Sequence, residues 1–276
     1  MEIRYQHSPA ETQKMTSDEL RNSFLIGDMM KPGEDRYLYS HYDRTIVGNI
    51  SPMGGSIDLS GAKSLKSEFF LERREMGIIN IGGNGEIEVA GTNYNLAKYD
   101  CLYLGRGTKD VVFRSPSIDD PAKFFIMSAP AHQQHPVAFM SAAEAEQVEL
   151  GKKESANERT IYKYIHENGI RSAQLVMGVT RLKPGSVWNT MPAHTHDRRM
   201  EVYCYFDLLE DEAVMHLMGQ PDETRHIVVR NLEAVISPPW SIHSGCGTSN
   251  YSFIWGMAGE NQQFTDMDAV AIRDLR

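Results

Sequence analysis

His194 and His196 stand two residues apart, Glu201 follows five residues later, and His243 closes a distant Pro238-Pro239-Trp240-Ser241-Ile242-His243 segment. Side chains alternate along a β-strand with period two, so the two histidines project from one face. Three imidazoles and one carboxylate are a donor set for a divalent metal, suiting zinc, iron, manganese or nickel. Isolated histidines usually belong to a surface or a core, so it is the combination that points to a metal. Thr190 and Pro192 share the parity of His194 and His196, so four side chains from Thr190 to His196 are expected to face inward. Glu201 has the opposite parity, which requires a turn, and Asp197-Arg198-Arg199 is polar enough to make it. Glu201 then opens a strand to Phe206, with Tyr203 and Tyr205 on its own face. His243 is expected from another strand of the same barrel.

The elements that must hold these donors are mostly strands. Ser17 to Ile26 reads as a short helix capped by Ser17. From Arg36 onward short β runs (45–47, 77–81, 86–89 and 110–113) are separated by Gly, Asn and Pro. Gly82-Gly83-Asn84-Gly85 lacks a following helix and the full dinucleotide fingerprint, so a hairpin turn is expected rather than a phosphate loop. Residues 131–160 break the pattern, with Ser141-Ala-Ala-Glu144 as a capping box for a short helix. The β texture resumes at Ile161 and runs to about Met257. Residues 1–140 and 141–276 are therefore expected to form separate units. An internal repeat supports the division: Leu71-Glu-Arg-Arg-Glu-Met-Gly-Ile-Ile parallels His196-Asp-Arg-Arg-Met-Glu-Val-Tyr-Cys, and Leu104-Gly-Arg-Gly-Thr parallels Ser237-Pro-Pro-Trp-Ser. In that register Phe69, Leu71, Met76 and Asp110 replace the four donors. Two β-barrels with one metal site follow.

Composition excludes several classes. The formal net charge is −9 across 276 residues with no long basic run, which argues against nucleic acid as a partner. No window approaches 18 uninterrupted apolar residues, and the N-terminus has no apolar signal core, so no membrane is expected and the cytoplasm is the default. Cys101, Cys204 and Cys246 are too scattered for a disulfide framework and are expected to be inert, with Cys246 nearest the metal.

The spacing H-x-H-x4-E with one later His is similar to that of cupin metal sites. Longer blocks go further: Leu20–Leu25, Tyr39–Gly48, Phe70–Gly83, Trp188–Tyr203, Met218-Gly-Gln-Pro, Thr224–Val228, Ser237–Gly245 and Phe253–Met257. Through them the chain resembles, over nearly its whole length, the 4-deoxy-L-threo-5-hexosulose-uronate (5-keto-4-deoxyuronate) isomerase family of pectin breakdown. The resemblance implies an all-β bicupin: two jelly-roll barrels with a few short helices. It also implies one zinc per chain on His194, His196, Glu201 and His243, a small keto-uronate substrate, and a hexameric homo-oligomer. Asp197 is a conservative departure from the family's Glu, outside the ligand set.

The implied chemistry is an aldose–ketose shift through an enediolate stabilised by the metal. Glu201 is a poor base, because ligation engages it; Tyr203 is the candidate proton relay or hydrogen-bond donor, with barrel packing as its plainer role. The substrate carboxylate calls for a cation, for which Arg199 and Arg159 are the candidates. Arg198 and Lys163 stand nearby. Arg73-Arg74 recurs in the half without metal, so one arginine of each pair is expected to be structural. Thr190 and Thr180 could donate hydroxyl hydrogen bonds, and Met257 is expected in the pocket or core. His216 and His226 read as structural. Two other classes fit the donors alone: an Fe(II) cupin dioxygenase, and a sugar-binding cupin with a structural metal.

Overall fold

The computed structural model describes residues 1–276. The chain divides into two compact units, one of residues 1–4, 29–145 and 164–177, the other of 5–28, 146–163 and 178–276. No helix is long and apolar enough to cross a membrane.

The first unit is built on a seven-stranded sheet in the order Glu2–Arg4, Asp35–Ser40, Ile46–Ile50, Phe124–Pro130, Arg74–Asn80, Cys101–Leu104 and Ala138–Met140. A four-stranded sheet runs Ser56–Asp58, Val111–Arg114, Gly85–Val89 and Thr92–Leu96. Ile46, Met76, Ile78 and Ile126 from the larger sheet pack with Ile87 and Phe113 from the smaller, so the core lies between the two. Each such buried side chain contributes roughly 1.5–3 kcal/mol.

The second unit repeats this plan. Its larger sheet runs Glu146–Leu150, Arg159–Ile165, Val176–Leu182, Ser252–Gly259, Arg199–Phe206, Ala234–Ser237 and Leu25–Ile26. Its smaller sheet runs Trp188–Asn189, Ser244–Gly247, Val214–Gln220 and Glu223–Val229. The register supports the sequence repeat. Met76 pairs with Ser128 and Leu104, while Glu201 pairs with Met257 and Ser237. Both strands begin at the second arginine of the Arg-Arg pair.

Several local expectations change. The early helix is Ser17–Phe24, and Thr16 rather than Ser17 caps it, in a capping box with Glu19. Leu25 then pairs with Val235, Arg21 Nη1 donates to the Val228 carbonyl at 2.7 Å, and Leu20 and Phe24 are buried. Those contacts are why residues 5–28 belong with the second unit, against an expected first unit of 1–140. Residues 164–177 likewise group with the first unit, against an expected second unit of 141–276. Ser141 and Glu144 make the box-like bonds from Ser141 N and Oγ to the Glu144 carboxylate, but only one turn forms and no helix follows. The connection also carries the strands Ala138–Met140 and Glu146–Leu150.

The glycine-rich segment 82–85 is a corner and not a hairpin, because the strands it joins lie in different sheets. A Cβ on Gly82 would lie 2.4 Å from the Pro121 carbonyl oxygen, and one on Gly83 2.1 Å from that of Asp120. Backbone approach therefore explains the glycines.

Candidate metal centre

Three separate segments of the second unit deliver the four donors. His194 lies in the short strand His194–Thr195, which pairs with Asp268–Ala269 near the C-terminus. His196 follows at the start of the expected turn, its N–H donating to the Pro239 carbonyl at 3.2 Å. The strand Arg199–Phe206 then carries Glu201, Tyr203 and Tyr205 on its inward face. His243 precedes the strand Ser244–Gly247 rather than lying within a strand. Its loop is fixed by Ser241 N to Pro238 O and by Ile242 N to Gly219 O. The stretch Thr190–His196 is not one strand either, since Thr190 has φ +47°. Thr190, Pro192, His194 and His196 nevertheless all reach the same cavity.

The donor atoms of His194, His196, Glu201 and His243 lie within 4.8 Å of one another. Glu201 Oε2 is 2.8 Å from Nε2 of both His196 and His243, and the His243 and His194 Nε2 atoms are 2.9 Å apart. His196 Nδ1 donates to the Asp266 carbonyl at 2.7 Å. A carbonyl only accepts, so the neutral ring must turn the Nε2 lone pair toward Glu201. Lone pairs converging from two imidazoles and a carboxylate are what a cation would satisfy, and the residues therefore fit a metal.

The electrostatics agree. Burial, followed by the neighbouring His243, pushes His194 down to about 2, which keeps it a neutral donor. Burial alone would raise the Glu201 carboxyl, but attraction to the neighbouring His243 and the close contacts with His196 and His243 hold it well below the usual range.

The donors form one wall of a cavity of about 390 Å³. Of the sequence candidates, Arg159, Thr180, Thr190, Tyr203 and Met257 line it, and Arg159 is its one guanidinium. Tyr203 O–H lies 2.9 Å from Thr190 Oγ1. Burial, then the Glu201 charge, raises the Tyr203 phenol well above its ordinary range, so it remains protonated.

Arg199 does not enter the cavity, which corrects its expected place among the substrate contacts. It is fully buried, and donates from Nη1 to the carbonyls of Asn261 and Gln263 at 3.0 and 2.7 Å. Its Nη2 donates to the carbonyls of Phe264 and Asp266 at 3.3 and 3.2 Å. Arg198 pairs with Asp266 and Asp268. The arginine pair thus ties down a C-terminal strap, from which Phe264, Thr265 and Met267 line the cavity. Sequence reading missed this strap and the Asp266 carbonyl behind His196; the one available signal was the acidic pair Asp266 and Asp268 as complements to Arg198.

His216 and His226 are not ligands. His226 is exposed rather than structural in the core. His216 is completely buried, with Nδ1 2.8 Å from the Tyr205 hydroxyl. Burial, then the His243 charge, pushes its imidazole down to about 3. The folded pKa lies below that of the unfolded chain, so this contribution is present above about pH 6.5 and is lost as pH falls toward 3. Urea midpoints measured between pH 7 and 4 are expected to fall with acid by at most about 1.4 kcal/mol per pH unit from this residue. His216→Gln should flatten that slope, and an unchanged slope would remove His216 from the account.

Comparisons with known proteins agree with this architecture. A family model described as the KduI/IolB family matches residues 28–272. A 4-deoxy-L-threo-5-hexosulose-uronate ketol-isomerase of Lachnoclostridium phytofermentans is 55% identical over 276 residues, covering 100% of both chains. The enzyme of the same name from Halalkalibacterium halodurans is 53% identical with the same coverage. Among solved structures, an IolB-like protein from Salmonella typhimurium LT2 superposes with a TM-score of 0.72 at 15% identity, covering 90% of this chain and 96% of its own. An oxalate decarboxylase of Lactobacillus farciminis gives 0.61 at 9% identity, covering 90% and 88%. These two bear on the fold alone, which is that of the cupins.

Proposed function

The chain belongs to the KduI/IolB family, and from that premise we propose that it is an aldose–ketose isomerase. It interconverts 5-dehydro-4-deoxy-D-glucuronate (4-deoxy-L-threo-5-hexosulose uronate) and 3-deoxy-D-glycero-2,5-hexodiulosonate. The observation that carries the reading is the convergence of His194, His196, Glu201 and His243 on the wall of a cavity that also holds Arg159.

The residues divide the work. Arg159 offers a guanidinium to the substrate carboxylate, its Nη1 already oriented by the Asn157 carbonyl at 2.8 Å. Tyr203 presents a protonated hydroxyl, steered by Thr190, to a carbonyl or hydroxyl oxygen of the reacting carbons. Phe253, Trp255, Met257 and Phe264 exclude water from the same space. A divalent cation on the four donors supplies fixed positive charge where negative charge develops as the enediol forms. We take the cation to be zinc, one per chain, which the donor set suits. The family resemblance further supports a hexameric homo-oligomer and a place in pectin and uronate breakdown. The three free cysteines accord with the cytoplasm.

The test supplies the keto-uronate in deuterium oxide and follows aldehyde loss by NMR beside metal analysis. Near one zinc per chain with ketose formation is expected. Bound iron with oxygen uptake and no ketose would replace the reading with a dioxygenase, and binding without turnover would leave a sugar-binding protein. Two variants separate the roles. Arg159→Ala is expected to raise KM by about 10- to 100-fold, the worth of a charge-assisted hydrogen bond, with a smaller effect on kcat. Tyr203→Phe should lower kcat by roughly 10- to 100-fold while leaving metal content unchanged; wild-type kcat in that variant would reduce Tyr203 to packing.

A further inference from the structure

The first unit has its own cleft, of about 730 Å³, where Arg74 heads the inward-facing row Arg74, Met76, Ile78. His41, Arg44, Arg73 and Arg74 line it, and no acidic side chain does. In a chain of formal net charge −9, that is a local reversal of sign.

Arg74 is only 6% exposed, yet it has no carboxylate partner. Its Nε donates to Ser128 Oγ at 3.1 Å, and its Nη2 to the carbonyls of Ser128 and Arg44 at 2.9 and 2.7 Å. Nη1 has no acceptor among these bonds. The repeat shows what is missing. In the second unit the equivalent guanidinium, Arg199, has Nη1 filled by the carbonyls of Asn261 and Gln263, from the strap that follows Gly259. In the first unit the carbonyls at the end of the equivalent strand and just past it are used elsewhere: that of Pro130 accepts from Gln174 and that of Ala131 from Arg106. The barrel without a metal thus keeps an arginine fork whose outer edge faces an open cleft.

Two further cations complete the wall. Arg44 is exposed and takes part in no ion pair, although its backbone carbonyl is bound to Arg74. Arg73 is pinned, with Nη2 donating to Leu65 O, Lys66 O and Ser67 Oγ, and Nη1 3.3 Å from Glu72. Clustered guanidiniums repel one another, and an anion between them removes the repulsion while meeting the planar forks.

We propose that this cleft binds a small oxyanion, with Arg44 and the free edge of Arg74 as its principal contacts and Arg73 at its side. Carboxylate and phosphate share the chemistry, so each serves as a separate probe: sodium glucuronate and inorganic phosphate, titrated calorimetrically into the full-length protein at low ionic strength. Wild type, Arg44→Glu and Arg159→Ala are compared. Arg44 makes no side-chain hydrogen bond that folding needs, and a thermal scan checks that its variant is intact. The expected result is binding of at least one probe that weakens tenfold or more in Arg44→Glu, persists in Arg159→Ala, and leaves isomerase activity of Arg44→Glu unchanged. Glucuronate alone would identify a uronate carboxylate as the ligand, and phosphate alone a phosphate. Absence of binding by both probes overturns the proposal, as does equal affinity in Arg44→Glu. So does loss in Arg159→Ala alone, which would place the anion in the cavity of the second barrel.

Discussion

His243→Ala is expected to lose its metal and to lower kcat/KM by about a thousandfold, or roughly 4 kcal/mol of transition-state stabilisation. His243 is completely buried, and its Nε2 contacts both Glu201 Oε2 at 2.8 Å and His194 Nε2 at 2.9 Å. It therefore joins the donor on the strand Arg199–Phe206 to the donor on His194–Thr195. Removing it leaves Glu201 with His196 alone and takes away the larger of the charges that hold its carboxyl low. The metal content of the purified variant and the NMR assay measure the two effects together. The comparison with His216→Gln matters, because His216 is equally buried but touches none of the four donors through a hydrogen bond. A large loss in both variants would indicate general damage to the barrel. Full metal and full activity in His243→Ala would remove the centre from the mechanism.

The donors were legible in the sequence because each rests on a local rule. Parity placed His194 and His196 together, its failure at Glu201 demanded a turn, and the Pro238-Pro239-Trp240 segment marked His243. The structure brings all four to one point. Nearness to the donors in sequence misjudged Arg199, whose long stem carries the guanidinium to carbonyls more than sixty residues away. Backbone carbonyls leave no mark in a sequence. The strap supplying them, residues 260–269, is mostly irregular, its one strand being the two-residue Asp268–Ala269, and no periodicity announces it. The exchange of residues 5–28 was hidden for a related reason. The capping signals of Ser17–Phe24 are local, whereas the partner of Leu25 is a strand more than two hundred residues away. Contacts set by topology are the ones that local rules cannot supply.

Arg199→Met should destabilise the protein by about 3–5 kcal/mol, because four carbonyls lose a donor together and those of Asn261 and Phe264 are left without one. Those carbonyls belong to Asn261, Gln263, Phe264 and Asp266, and the last also accepts from His196 Nδ1 at 2.7 Å. Loosening the strap therefore frees the ring of a metal donor as well as one side of the cavity, where Phe264 and Thr265 stand. Metal affinity is expected to fall with stability, by about 10- to 100-fold, as for other losses of support behind a ligand. Arg199→Lys should recover little, since a point charge on a flexible stem cannot reach four acceptors at once. Denaturant midpoints give the stability term. Hydrogen exchange across residues 260–271, compared with a core strand such as Phe124–Pro130, shows whether the loss begins in the strap. A substrate-binding arginine predicts the opposite pattern: wild-type midpoint, wild-type exchange and full metal, with only KM raised. Arg159→Ala is expected to show that second pattern, so the two arginines, both plausible carboxylate partners in the sequence, become distinguishable by which quantity moves.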